Sequence, residues 1–375
     1  MNKKKVSISE KISTHVVQEL PRCIQCNRCM EACPVTKPIF SILELNEATK
    51  PDTPVTEKIK KFAFSCVQCG RCNPVCPEGL HREEMMLFLR YKLRTVKPYE
   101  YKRYLAIRGP DLSPIAQTAQ GLFTAMKMKK APDLAHHMEI VPSTQTPVLF
   151  YPGCYIYSFE TIRRTKRLLN HVGTSYTILG GLTTCCGIPQ LLQGEFDLAD
   201  RYMEILHEKI LKLKPSVIIT GCAECYEALV RIKETYHELF EVLSVVEYLM
   251  RNRHKFPQVK LREKTTFHDS CRMTRRYNKG EIARHAITIF APLIEMKHTR
   301  ESAFCCYHWN HGYDSKNPTN RQNLLTEAAQ LAPTMVCECI TCYEEFKKLK
   351  SDVEVIDILQ LFEEAIDIQS EIHGK

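Results

Sequence analysis

The sequence predicts an α+β multi-domain chain: an α-helical N-terminal domain, then a duplicated α/β domain with parallel sheets. Three observations carry this reading. Two cysteine runs of one spacing, starting at Cys23 and Cys66, lie among segments of helical character. The C-terminal half repeats an order of lone cysteine, cysteine pair and C-x2-C. Short β-branched runs precede each of those cysteine groups and helical segments follow, the alternation of a parallel sheet covered by helices.

The 375 residues suit two or three domains. With 44% hydrophobic and 25% charged residues the balance is globular, which excludes a disordered or collagen-like chain. Apolar runs such as IITGCA break far short of the roughly 18 residues a membrane-spanning helix needs. The basic N-terminus lacks the apolar centre of a secretory signal. The expectation is a cytoplasmic protein, at most peripheral at the inner face of a membrane. The abnormal figure is 19 cysteines, which in a reducing compartment point to metal binding or redox chemistry rather than disulfides.

The net charge of +9 draws on Lys3, Lys4 and Lys5 and on Arg90–Arg108, a stretch with seven Lys/Arg and four Tyr. Cations among aromatics suit nucleic acid, but nothing here specifies a base. A solvated helix face, or a docking surface for an acidic partner or anionic headgroups, explains the stretch better.

The first run is Cys23-x2-Cys26-x2-Cys29-x3-Cys33-Pro34 and the second Cys66-x2-Cys69-x2-Cys72-x3-Cys76-Pro77. This is the spacing of bacterial two-cluster ferredoxins, in which the fourth cysteine of each run ligates the other cube. By that rule Cys23, Cys26, Cys29 and Cys76 hold one [4Fe–4S] cube, and Cys66, Cys69, Cys72 and Cys33 the second. Zinc uses separated cysteine pairs and fits two complete runs poorly. Helical character in SILELNEATK, VTEKIKKFAF and Glu83–Arg94 makes the domain mostly α-helical. It resembles the helical ferredoxin domain of succinate dehydrogenase iron–sulfur subunits and of the heterodisulfide reductase C subunit.

Prolines 110, 114, 132 and 142 mark a connecting segment. The expected organisation is a two-cube domain over 1–108, a linker over 109–146, and two α/β cassettes over 147–262 and 263–375. The first cassette reads VLFYPGC154, SYTILGGLTTC185-C186 and SVIITGC222-AE-C225; the second reads TTFHDSC271, LIEMKHTRESAFC305-C306 and TMVCEC339-IT-C342. Between the lone cysteine and the pair stand 30 residues in one copy and 33 in the other; between the pair and the C-x2-C stand 35 and 32. Helices are expected at 161–172, 197–213, 222–239, 281–290, 321–331 and 339–350. In open α/β sheets ligands bind beyond the carboxyl ends of the strands, where all six cysteine groups fall. Cys222 and Cys339 would open helices, whose free N–H groups favour thiolates. Five cysteines exceed the four of a cube or a zinc site, so a differently shaped cluster or a free redox thiol is implied.

The doubled pattern resembles the CCG domain of heterodisulfide reductase B subunits. The whole chain, from Cys23 to Cys342, resembles the fused C-plus-B arrangement of the D-type subunit. The resemblance implies four [4Fe–4S] clusters: the two cubes and two non-cubane clusters. Cys154, Cys185, Cys186, Cys222 and Cys225 would hold one of the latter, and Cys271, Cys305, Cys306, Cys339 and Cys342 the other. It implies reduction of a disulfide, in that family the heterodisulfide of coenzymes M and B, between the two clusters. Similar cassettes in subunits of glycolate, lactate and glycerol-3-phosphate oxidising complexes imply the rival role of electron relay to a quinone. Two departures stand out. Tyr307 replaces the glycine that follows the pair in the first copy (Gly187), and Cys337 is an extra thiol.

Disulfide reduction needs protons as well as electrons. His268, His308 and His311 are the candidate donors, with a role in only tuning a cluster as the alternative. Arg272, Arg275 and Arg276 suit an anionic substrate group or a solvated helix start. No dinucleotide fingerprint or P-loop is present, so no flavin or nicotinamide is expected on this chain. The implied partners are an electron-donor or acceptor subunit (a flavoprotein, hydrogenase or membrane cytochrome) and small-molecule disulfides or thiols.

Overall fold

A computed structural model describes residues 6–35, 40–93, 146–153, 159–180, 184–308 and 317–373. Cys154, Trp309, His311, residues 94–108 of the basic stretch and all but the last residue of the expected linker lie outside them.

The N-terminal part is helical. Helix α1 (Ile8–Glu19) is capped by Ser7, whose side chain accepts from the Glu10 amide. Its Ile8, Ile12 and Val16, four residues apart, form the buried stripe. The first cysteine run carries the short α2 (Arg28–Glu31). Helix α3 (Ile42–Thr49) opens with a Ser41/Glu44 capping box, and α4 (Glu57–Ser65) with a Thr56 cap. Helix α5 (Arg82–Leu93) packs against α1, α3 and α4. Because neighbours surround it, Arg82, Glu83 and Arg90 are buried along with Met85 to Leu89.

The remainder is two α/β halves of one topology. The first runs β1 (Val148–Gly153), α6 (Phe159–His171), β2 (Tyr176–Gly180), α7 (Ile188–Leu192), α8 (Phe196–Leu213), β3 (Val217–Thr220), α9 (Ala223–Tyr236), β4 (Glu241–Ser244) and α10 (Val245–Arg251). The second has β5 (Thr265–His268), a π-helical turn (Cys271–Arg276), α11 (Gly280–Phe290), β6 (Leu293–Ile294), α12 (Asn317–Leu331), β7 (Thr334–Cys337), α13 (Ile340–Lys347), β8 (Glu354–Asp357) and α14 (Ile358–His373). The sheets are parallel, in the orders β2-β1-β3-β4 and β6-β5-β7-β8. The anticipated strands and helices are present; each half has one further strand that the sequence reading missed, and the missed helices are α7 and α10 in the first half and α14 in the second. In EVLSVVEYL and EVIDILQLF, strand and helix abut without a loop, so each reads as one apolar run of no clear period.

The halves pack through α6 against α14 and α10 against α11. Phe150, Leu168, Phe267, Phe290 and Phe362 share that core. A second core is continuous across the domain boundary, joining Ile12 and Val16 to Leu206 and Ile210. Tyr91 stacks on Phe196 with ring centroids 4.8 Å apart. Gly194, at φ +85°, lets α5 approach, since a Cβ there would stand 2.5 Å from the Arg90 carbonyl carbon. Arg90 therefore corrects the expectation of a solvated or docking face at that end of the basic stretch. It is 0% exposed, and its guanidinium donates to the carbonyls of Ala63 (2.8 Å), Leu192 and Cys66.

Candidate iron–sulfur centres

The two N-terminal runs fold into the same loop. Gln25 and Asn27 in the first, and Gln68 and Gly70 in the second, all adopt positive φ between 54° and 68°. This winds each C-x2-C-x2-C run into a tight coil. Cys23, Cys26, Cys29 and Cys76 line one cavity of about 20 Å³, and Arg82 Nη2 lies 3.6 Å from Cys23 Sγ. Burial pushes the Cys29 thiol up, and Arg82 pulls it back. Around Cys72 the neighbouring thiols are Cys69, Cys66 and Cys33. Thus Cys76 comes to the first run and Cys33 to the second, the crossed grouping that the spacing predicts. Burial pushes Cys66 up to about 11 and Cys72 well above its ordinary range. Buried thiols set against one another in fours are a poor proton store and a good donor set for a soft metal core.

In the second half all five cassette cysteines converge. Cys271 and Cys305 stand 3.8 Å apart, Cys305 touches Cys306, Cys306 touches Cys342, and Cys342 touches Cys339. Sulfur hydrogen bonds hold Cys306 and Cys339 down to about 6, against burial. In the first half Cys225 lies between Cys186 and Cys222. Cys185 is buried with Sγ 4.0 Å from Gln190 Oε1. Cys154, the fifth, directly follows β1. Cys222 and Cys339 are the N-cap residues of α9 and α13, as anticipated. Cys337 is not one of the converging set: it ends β7, fully buried, in register with His268.

The two cassettes meet. The Ala223 amide at the start of α9 donates to the Cys339 thiol, and Cys222 and Cys339 line one cavity of about 20 Å³. The same cavity is lined by Glu338, 8% exposed, whose two carboxylate oxygens have no partner. Burial, then the neighbouring Cys339, pushes its carboxyl up to about 8. Sequence reasoning passed over Glu338, although setting the repeats side by side would have exposed it, because Gly221 holds the matching place.

Gly187 (φ 81°) and Tyr307 (φ 54°) occupy the same left-handed turn after each cysteine pair, which is why glycine suits the place. Tyr307 is 2% exposed; its amide donates to Cys305 Sγ (3.3 Å) and its carbonyl accepts from Arg321 (3.2 Å). Its phenol has Cys305, Cys69, Arg71 and Cys33 as charged neighbours, so the ring sits where the second cysteine run meets the second cassette.

His268 is buried, edge-to-face with Phe346 at 4.7 Å between ring centroids, and burial pushes it down to about 4, so it is neutral near pH 7. His308 Nδ1 lies 3.1 Å from Glu345, which Arg321 also holds at 2.7 Å. The arginine cluster is not a solvated helix start. Arg272 and Arg276 pair with Glu227, fully buried on α9 and also bonded to Arg231 at 2.9 Å. Burial would raise the Glu227 carboxyl, but Arg272, Arg276 and Arg231 hold it well below the usual range. Arg276 reaches Glu83 of α5 (3.2 Å), and Arg275 reaches the Cys69 carbonyl (2.9 Å). Beside them opens a cleft of about 510 Å³, whose lining includes Cys69, Cys271, Arg275 and His81.

Residues 15–78 match the 4Fe-4S dicluster domain family, and residues 148–230 match the cysteine-rich domain family. The chain is 24% identical over 253 residues to the D subunit of the dihydromethanophenazine:CoB–CoM heterodisulfide reductase of Methanosarcina acetivorans, covering 60% of each chain. It is 31% identical over 153 residues to a probable iron-sulfur-binding oxidoreductase of Bacillus subtilis, covering 37% of this chain and 21% of that one. It is 27% identical over 169 residues to the EtfAB:quinone oxidoreductase of Syntrophomonas wolfei, covering 42% and 23%. The matches thus span 60% or less of these relatives' length. Fold, cysteine groups and matches together define an iron–sulfur oxidoreductase with a dicluster domain joined to a cysteine-rich domain. Within that class the chain is similar to heterodisulfide reductase D subunits, whose fused arrangement its sequence resembles. Among the described residues no helix is long and apolar enough to cross a membrane.

Proposed function

We propose that the chain takes electrons from a partner subunit into the helical domain and delivers them to the paired cassettes, where a small-molecule disulfide is reduced to two thiols. On this reading Cys23, Cys26, Cys29 and Cys76, and Cys66, Cys69, Cys72 and Cys33, hold two cubes. The two cysteine quintets hold the other two [4Fe–4S] clusters. Such clusters supply one-electron transfers at low potential. The observation that carries the reading is the meeting of the two cassettes: Cys222 and Cys339, each at a helix N-terminus, face one cavity.

The chain's own residues supply the rest. The Ala223 amide and the N-terminal ends of α9 and α13 favour negative charge on sulfur at that point. Burial keeps Glu338 protonated and keeps His268 neutral, so neither leaves an unpaired charge beside the thiols. Of the three histidines, His308, held by Glu345 beside Cys306, is the candidate proton donor with a route through an ion-pair network. The electron partner is of flavoprotein, hydrogenase or cytochrome type, and the chain works in the cytoplasm or against the membrane's inner face.

A second reading is relay to a quinone. The likeness to the EtfAB:quinone oxidoreductase points that way. One experiment separates the two. Anaerobically purified, iron-replete protein with a strong one-electron donor should release thiols from a low-molecular-weight disulfide, and thiols should perturb the paramagnetic spectrum of the oxidised protein. Intact disulfides and an unmoved spectrum, with quinone reduced instead, would establish the relay. About sixteen irons per chain are expected; about eight, all in the helical domain, would refute both readings.

A further inference from the structure

The helical domain does not meet the two cassettes equally. Its α1 and Arg90 pack on the first, against α8 and the Leu192 carbonyl, whereas its second cysteine run meets the second. After β5 the chain enters the π-helical turn Cys271–Arg276, capped by Ser270, whose side chain accepts from the Met273 amide. Such turns are rare and concentrate at functional sites. This one places Arg275 beside Cys271 and turns its guanidinium to the domain boundary. Nε donates to the Cys69 carbonyl at 2.9 Å, inside the second cysteine run. Nη1 donates to the Ala303 carbonyl at 2.7 Å and the Glu301 carbonyl at 3.3 Å, on the segment leading to Cys305. Nη2 is buried with no partner. A buried guanidinium N–H without an acceptor costs free energy unless negative charge stands nearby.

Arg275 acts electrostatically on Cys69 on one side and on Cys271 on the other. Cys271 is 3.8 Å from Cys305, and Cys305 in turn feels Cys69. Sulfurs of the two groups are thus neighbours, and Arg275 is the cation that acts on both, with Arg71 also beside Cys69 and Arg272 also beside Cys271. In the sequence of the first cassette the matching place, four residues after Cys154, is Ser158.

We infer that Arg275 is a positioning residue for electron transfer, joining the centre held by Cys33, Cys66, Cys69 and Cys72 to the second cassette, so that electrons enter the cassettes at the second and not the first. This rests on the cluster assignments proposed above. The step moves one electron: the helical-domain centre is oxidised, the second-cassette centre is reduced, and no bond or proton changes hands. The guanidinium stays charged at every accessible pH and lowers the cost of added negative charge on either side. Its fork to Cys69 and Ala303 fixes their separation, on which transfer rate depends.

The test uses the full-length, iron-replete chain in three forms: wild type, Arg275→Gln and Arg275→Lys. Redox titration followed by paramagnetic resonance gives the potentials of the two centres, and rapid-freeze sampling after dithionite addition gives the rate at which the second-cassette signal appears. With glutamine, both potentials fall by about 59 mV, a tenfold change in a one-electron equilibrium, and the signal appears about tenfold more slowly. With lysine the charge is kept and the fork lost, so the potentials hold and the rate still falls about tenfold. Should the glutamine form lose iron, the lysine form decides alone. An iron-replete variant matching wild type in both readouts overturns the inference, as does a first-cassette signal that appears before the second. If wild type itself binds iron only in the helical domain, it is the cluster assignment that has failed and not the role of Arg275.

Discussion

Glu227→Gln is expected to loosen the joint among all three parts of the chain at almost no cost in volume. Glu227 sits on α9 with no exposed surface, and its carboxylate meets Arg272, Arg276 and Arg231. Arg272 is the partner that matters most: its side chain is only 8% exposed, and a guanidinium cannot shed its charge. Arg276 and Arg231, at 23% and 20%, recover part of their loss from water. Removing one member of a buried pair costs about 3–5 kcal/mol, because a charge is left uncompensated. Taking about 3 kcal/mol, and a joint not yet formed in the unfolding transition state, unfolding accelerates on the order of a hundredfold. The assay is the first-order loss of visible cluster absorbance in urea, anaerobically, on preparations of equal iron content. Adding Arg272→Met should restore part of the loss, since an apolar pair strands no charge. A single variant within threefold of wild type, or a double variant worse than Glu227→Gln alone, would refute the argument.

Arg90→Met leaves the carbonyls of Ala63, Leu192 and Cys66 without that donor. A loss of about 3 kcal/mol and a midpoint lower by roughly 5 °C in far-UV circular dichroism are expected, with Arg90→Lys rescuing little. At position 307, Tyr307→Gly should be more stable than Tyr307→Ala by about 1 kcal/mol in chemical denaturation: both remove the ring, and only glycine relieves the φ of 54°. Asp357 is pushed up to about 6 by burial, with Arg164 opposing. The stability linked to its proton is therefore complete below its unfolded value, near 4, and lost as pH rises through about 6. Asp357→Asn should gain on wild type by about 1.5 kcal/mol between pH 5 and 7.5, the upper half of a total of about 3 kcal/mol that begins below pH 4, read as the difference in unfolding midpoints, and a gap constant with pH would count against it.

What could be read directly was whatever spacing alone determines. The exchange of Cys33 and Cys76 between runs follows from the run length, and the placing of Cys222 and Cys339 at helix starts follows from a β-branched run ending one residue earlier. Two of the eight strands were not readable because β4 and β8 run into α10 and α14, and only pairing with β3 and β7 separates them. Arg90, Arg272, Arg275 and Arg276 looked like surface cations because their partners lie far away in sequence. The Cys69 carbonyl is 206 positions from Arg275, and no local pattern reports that distance.

The repeat shows more in where it fails than in where it holds. Ser158 against Arg275, Gly187 against Tyr307, and Gly221 against Glu338 put the small or neutral residue in the first half and the bulky or ionisable one in the second. Two of the three second-half residues, Arg275 and Tyr307, lie where that half meets the second cysteine run, and Glu338 lies where it meets the first half. Drift after duplication would scatter such changes over both halves and over surfaces with no neighbour. On the proposed electron path that cassette stands between the helical domain and its sister, and these three differences fall on its two faces. The first cassette keeps the glycine turn at Gly187 and an uncharged strand end at Gly221.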